Sequence, residues 1–379
     1  MSATFQKIPF LILALLCCIE TQSFANDEII RSFRSYRAYG MGGTFVTTGD
    51  YADALFGNPA RHVAVDEGKV SVLDIYADTN YNFISSIDDF SNIKGSGTSA
   101  ISSIAPLAGK HLHGRFSLLV AGYSPHFIDE NLGFSFGVLF NFQTNILPHV
   151  DTTIDSQSYG DFGPHVGVAY KFLDGDLMIG LNSHLVYRVA ADRRINAFEL
   201  LINNKSITTK SLGAEGLGLD LDLGAYYKLP LDWETMHISV GANFSNLLMS
   251  TYTLANGKYV AKEGLLHPPR NDRTLGLGVR MDFPDLWIFK NNLFALEMLD
   301  IGSTLARTSI AKRFHMGGET RLIKRLFFRA GLNSGYITAG LGFNFPVLKI
   351  DLATWGEELG PNAGTKQDRR FGLKLAVDL

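Results

Sequence analysis

The chain has 379 residues, 46% hydrophobic, 12% aromatic and 19% charged, with 34 Lys+Arg against 37 Asp+Glu. That is too apolar for disorder. A net charge of −3 provides no basic face for a nucleic-acid partner, and the 38 glycines show no collagen period.

Lys7 precedes the apolar run Ile8–Cys18, and Ser23-Phe24-Ala25 follows with small residues at the −3 and −1 positions. This order predicts a secretory signal peptide over residues 1–25, with an apolar run too short to span a bilayer. Both cysteines, Cys17 and Cys18, fall inside it. The processed chain then has no disulfide and no cysteine-ligated metal, and no cofactor is expected.

Residues 26–67 include the glycine-rich stretch Arg37–Asp50 and Tyr51–Ala60, the latter ending Asn58-Pro59-Ala60. Glycine permits positive φ and close approach of backbones, and Asn-Pro favours a turn. From residue 68 to 379 the dominant signal is period 2, the mark of strands with two different faces. Leu217, Leu219, Leu221 and Leu223 share one face, as do Phe134, Phe136, Val138, Phe140 and Phe142; the chain ends with Phe371, Leu373, Leu375, Val377 and Leu379 aligned. Opposite them stand Asp220, Asp222, Arg280, Asp282, His315, Glu319, Arg321, Lys349 and Asp351. In a membrane barrel such a polar face lines the lumen and the apolar face meets lipid.

The pattern predicts about fourteen strands, many near the 9–11 residues that a tilted strand needs to cross a bilayer. Every second connection reads as long, at 80–112, 143–163, 189–216, 248–271, 302–311 and 355–369, and most of the others as short. Short periplasmic turns alternating with long outer loops fit a transmembrane antiparallel β-barrel with both termini periplasmic. Tyr170, Phe172, Tyr226, Tyr227, Trp233, Phe283 and Trp287 fall near strand ends, as interfacial aromatics do.

Catalytic motifs find no context. Gly133-Phe-Ser-Phe-Gly137 matches a nucleophile pattern, but Ser135 sits inside an alternating strand rather than a strand-to-helix turn. Gly95–Ala100 lacks the βαβ unit a dinucleotide fingerprint requires. His111 and His113 lack a third ligand and read as loop-edge residues.

Gly40, Gly42, Gly43, Asp53, Ala54, Asn58, Pro59 and Ala60 carry a pattern that resembles the N-terminus of the FadL-type outer-membrane barrels. The later segments Asp220–Tyr227, His237–Leu247, His315–Glu319 and Phe328–Phe343 look more like the PorV and TraF-like branch. The resemblance implies a fourteen-stranded barrel in the outer membrane of a Gram-negative bacterium, with residues 26–67 folded into the lumen as a plug. It implies either passage of small hydrophobic or amphipathic molecules or a non-transporting scaffold. The scaffold would bind secretion, conjugation or envelope proteins through its outer loops. A continuous apolar pocket behind Gly40–Ala60, connected to the outside, would favour transport. A lumen shut by ion pairs of Asp222, Arg280, Glu319 and Lys349 would favour the scaffold.

Overall fold

The computed structural model describes residues 33–65, 67–88, 105–196, 213–231, 235–254, 259, 267–301 and 309–379. The expected signal peptide, residues 26–32, Gly95–Ala100 and Trp233 lie outside the described residues.

Fourteen antiparallel strands close into one barrel, each paired with its chain neighbours and β1 with β14. They are β1 Lys69–Asn80, β2 Leu112–Ser124, β3 Leu132–Pro148, β4 Thr153–Phe172, β5 Leu177–Asn196, β6 Ala214–Lys228 and β7 His237–Ser245. The remaining strands are β8 Thr274–Phe283, β9 Phe289–Ile301, β10 Phe314–Leu322, β11 Leu326–Asn333, β12 Tyr336–Asn344, β13 Leu348–Glu358 and β14 Gln367–Asp378. Closure pairs the first strand with the last, from Ser71↔Asp378 to Asn80↔Arg370. Val70 and Leu379 exchange both backbone hydrogen bonds, so the start of β1 and the end of the chain lie at the same end of the barrel.

Side chains alternate as the pleat requires. Phe136, Phe140, Leu219, Leu223, Leu277, Phe371 and Leu373 are exposed on the outer wall, while Ser135, Asn141, Asp220 and Asp222 are buried inside. No helix is long and apolar enough to cross a membrane, which says nothing about strands.

The structure corrects three sequence expectations. Residues 143–163 are not a long loop: β3 and β4 stay paired out to Pro148↔Ile154, and only 149–152 turn. This stretch alternates weakly because it carries polar side chains on both faces, including the Thr144–Ser158 hydroxyl pair at 2.7 Å, yet its backbone ladder continues. Tyr226 does not belong to an interfacial belt. Its parity places it inside, 3% exposed, beneath the Arg61 guanidinium at 4.5 Å. His111 and His113 are not loop-edge residues but buried side chains at the start of β2, each paired to a carboxylate: Asp368 at 3.1 Å and Asp78 at 2.6 Å.

Because Phe140 is on the outer wall, Phe140→Arg places a charge where lipid is expected. The expected cost is about 2–4 kcal/mol. Folding into liposomes, followed by electrophoretic mobility without boiling, should show the loss, whereas Phe140→Leu should fold normally.

Candidate functional site

Residues 33–63 run through the lumen. They form helix α1 (Tyr36–Gly40), helix α2 (Ala52–Phe56) and a 3₁₀ turn (Pro59–Val63), nearly all buried. Ser35 caps α1 through Oγ, which accepts from Ala38 N, and Asn58 Oδ1 caps the 3₁₀ turn by accepting from Ala60 N.

The wall is cut to fit this segment. Gly42 has φ +70, and a Cβ there would fall 2.2 Å from Met316 O on β10. On the wall side, a Cβ at Gly331 would fall 2.5 Å from Gly42 N, and one at Gly317 2.3 Å from Met41 O. Thr338 Oγ1 accepts from Gly42 N and donates to Gly40 O, both at 2.9 Å. His315 Nδ1 donates to Gly42 O at 2.8 Å, placing this predicted residue against the Gly42–Gly43 turn. Asn58 and Pro59 seat in the same manner against Gly224 and Gly180.

Polar side chains of the wall satisfy the segment's backbone. Glu297 on β9 accepts from Phe45 N, Val46 N and Thr47 N at 2.8, 3.0 and 2.8 Å. Asn182 Nδ2 donates to Ala54 O at 2.8 Å. Stacking does the rest on the β13 side, where the Tyr39 and Trp355 rings lie 4.2 Å apart at 11°.

The charged residues sort into two groups. On the β10–β14 side, Glu319 is held between Arg37 Nη2 at 2.8 Å and Arg329 Nε at 2.5 Å, and Arg329 Nη1 reaches Asp351 at 2.5 Å. Lys349 pairs with Asp378 at 2.8 Å. Arg280 pairs with Asp282, two residues on along the same face of β8, at 2.6 Å. Arg321 forms no ion pair among the described residues; it reaches Asn291 Oδ1 at 3.4 Å beside the turn at 323–325. Asp220 accepts from Leu248 N at 3.0 Å and Ser250 N at 3.2 Å. Asp222 accepts from Asn246 N at 2.8 Å and from His184 Nε2 at 2.9 Å. Sequence reasoning missed Glu297, Arg37, Arg329 and Asn182, whose partners are remote in the chain.

Asp220 and Asp222 line a cavity of about 290 Å³. Its floor is the luminal segment, with Phe33, Phe45 and Phe56; its wall runs from β3 to β9; Ser250, Tyr252 and Pro269–Asp272 contribute from the β7–β8 link. Phe56 packs on both His165 and His184, whose Nδ1 atoms lie 2.7 Å apart. Arg188 stands between Tyr159 and Tyr252 and grips Asp161 with Nε and Nη2 at 2.7 and 2.8 Å.

Ser135 forms a three-residue relay of another kind. Its Oγ lies 2.8 Å from His62 Nδ1, and His62 Nε2 lies 2.8 Å from Asn182 Oδ1. All three residues are buried and none borders the cavity, so the relay docks the segment to β3 and β5. Among the described residues no group of three or more His, Cys, Asp or Glu is disposed to hold a metal.

Among the shifted groups of the luminal segment, His62 and Asp53 titrate in the mildly acidic range. Burial lowers His62 to about 4. Burial, with the neighbouring Asp50 charge, pushes Asp53 up to about 6 against the hydrogen bonds from Ser35. The lowered His62 contributes stability that is full above about 6.5 and lost as pH falls toward 4; the raised Asp53 contributes stability full below about 3.8 and lost as pH rises through 6. The two therefore oppose each other between pH 4 and 6. Removing one unmasks the other: on acidification from pH 7 to 5, hydrogen exchange over residues 33–63, corrected for intrinsic rate, should accelerate in Asp53→Asn and slow in His62→Gln. Separately, Glu319→Ala strips a carboxylate from two buried guanidinium groups, a loss of about 3 kcal/mol. It should make the segment protease-sensitive, while Glu319→Gln has a smaller effect.

No family model and no curated protein matches the chain. Solved structures do. The toluene transporter TodX of Pseudomonas putida superposes with a TM-score of 0.53 at 12% identity, covering 93% of this chain and 98% of that one. The toluene transporter TbuX of Ralstonia pickettii gives 0.53 at 12%, covering 91% and 97%. A TodX mutant described as a monoaromatic hydrocarbon channel gives 0.54 at 14%, covering 91% and 98%. At such identities the likeness is one of fold.

Proposed function

We propose that this chain is an outer-membrane channel through which small hydrophobic or amphipathic molecules pass, with residues 26–67 as its plug and 68–379 as its barrel. In this reading residues 1–25 direct export, both termini face the periplasm and the bilayer surrounds the outer wall. The observation that carries it is the cavity enclosed between the barrel wall and Phe33, Phe45 and Phe56 of the luminal segment, a concave, partly aromatic site inside a closed barrel. The fold it shares with toluene transporters supports the same direction.

We place the exit beside the cavity. The β4–β5 ladder runs to Phe162↔Tyr187 and resumes at His165↔His184, with no pairing for Gly163 and Pro164. Proline has no N–H to donate, so this is the weak seam in that part of the wall. Phe162, His165, His184 and Val186, which flank the seam, also border the cavity.

A second reading, a scaffold for secretion or envelope proteins, draws on the ion pairs of Glu319 and Lys349, which pin one side of the lumen, and on the resemblance to the PorV and TraF-like branch. Uptake separates the two. Liposomes carrying the purified barrel should take up a panel of labelled single-ring and long-chain hydrophobic solutes faster than empty ones. Equal rates across the whole panel would remove the channel reading. If the seam is the exit, Pro164→Val should fold normally yet slow uptake several-fold.

A further inference from the structure

The cavity has a roof as well as a floor. The link that follows β7 lies at the barrel end away from Val70 and Leu379. Its first residues fold back into the lumen along β6. Leu247 N donates to Leu221 O at 2.9 Å, and Leu217 N donates to Leu254 O at 2.7 Å. Between these two anchors the chain bulges inward, and Ser250 and Tyr252 border the cavity. The inner face of β6 is cut to receive them: a Cβ at Gly216 would run into Tyr252 O, and one at Gly218 into Ser250 Oγ.

Polar contacts hold this stretch down. Asp222 Oδ1 accepts from Asn246 N at 2.8 Å, and the two oxygens of Asp220 accept from Leu248 N and Ser250 N at 3.0 and 3.2 Å. Arg188 Nη1 donates to Pro269 O at 2.6 Å and to Asn271 Oδ1 at 3.1 Å, with its guanidinium 4.6 Å from the centre of the Tyr252 ring. Tyr252 is buried, but Leu248 and Leu254 are 49% and 63% exposed, so lifting the stretch uncovers little apolar surface. Backbone strain opposes the folded-in form. Asn246, Met249 and Tyr252 have φ of +57, +46 and +52. Asparagine tolerates that region; methionine and tyrosine stay there only where their surroundings compel it.

Resting on the channel reading, we infer that the β7–β8 link is a latched lid through which solutes enter the cavity. Asp220, Asp222 and Arg188 are the latch. Residues 248–253, pivoting on the anchors at Leu247 and Leu254, are the part that lifts, and the strain at Met249 and Tyr252 is relieved when it does. The floor stays in place, because the bonds that seat it, from Glu297, Asn182 and Thr338, do not involve the link. Loading under the lid and leaving at the Gly163–Pro164 seam are then separate steps.

A reversible lock tests this in the full-length barrel. A Cβ at Gly218 would lie 3.0 Å from Ser250 Cβ, just short of the roughly 3.5–4.5 Å of a disulfide, so a small shift of the link lets Gly218→Cys bridge to Ser250→Cys. In liposomes the oxidised pair should take up labelled single-ring solutes several-fold more slowly than the same protein after reduction. Asp220→Ala removes the acceptor of two N–H groups and should do the opposite. Amide exchange at Leu248 and Ser250 should rise about ten-fold, and uptake should exceed that of the wild type. Both variants are judged on protein with wild-type heat-modifiable mobility. Equal uptake with the bridge formed or reduced, or unchanged exchange or uptake in Asp220→Ala, would overturn the lid and leave the channel standing. If no bridge forms, Asp220→Ala decides alone; if Asp220→Ala does not fold, the bridge does. Wild-type uptake no faster than that of empty liposomes would remove the channel reading itself.

Discussion

Backbone hydrogen bonding is the constraint from which the remainder follows. A sheet surrounded by acyl chains cannot leave an edge, because each unpaired N–H or C=O there costs several kcal/mol. Pairing β1 with β14 removes the edge, and the pleat then sends every second side chain inward. Fourteen strands enclose more space than their own inward side chains fill. The inner face therefore carries groups that need partners, and a chain segment threaded through it has backbone groups that need the same. Glu297 answering three consecutive N–H groups, and Thr338 answering both Gly42 N and Gly40 O, are each solution to the other's problem.

The two sides of the lumen meet this demand differently. Around Glu319 the charges of segment and wall cancel at close range, with Arg37 and Arg329 sharing one carboxylate. Such buried pairs return little net stability, because desolvation offsets their attraction, but breaking one is costly, so they hold position. Around Asp222 the segment contributes phenyl rings instead of charge: Phe56 lies against the paired imidazoles of His165 and His184. A wall whose carboxylates are answered by backbone N–H groups and a histidine, opposite a floor of rings, leaves space that charge pairing has not filled. Of the charges expected to shut the lumen, Glu319 reaches the segment through Arg37, Lys349 and Arg280 pair within the wall, and a cavity lies on the other side.

Architecture is legible in the sequence because the outside and the lumen impose different chemistry on alternate residues, as in Leu217–Leu223 against Asp220 and Asp222. Where that contrast fades, so does the reading. Gln143–Pro148 and Thr153–Asp161 lack the apolar face, so a paired hairpin reads from sequence as a loop. Residue type points Tyr226 to the interface, whereas parity assigns it to the lumen with Gly224 and Asp222. The partners of the luminal charges could not be read at all: Arg37 and Glu319 are 282 residues apart, and no local pattern records that contact. Glycines signalled the close fit on the segment side only. Their counterparts, Gly317 and Gly331, look from sequence like weak points in strands.

The same distinction bears on what the lumen can do. Outward positions answer only to what surrounds the barrel, so barrels with 12–14% identity can share a wall without sharing a function. Inward positions divide again. Ser135, His62 and Asn182 are arranged as a relay, but each is enclosed by the segment it docks, and an enclosed nucleophile meets no substrate. Burial with every bond made marks structure, so the relay belongs with the fit between segment and wall and not with the cavity.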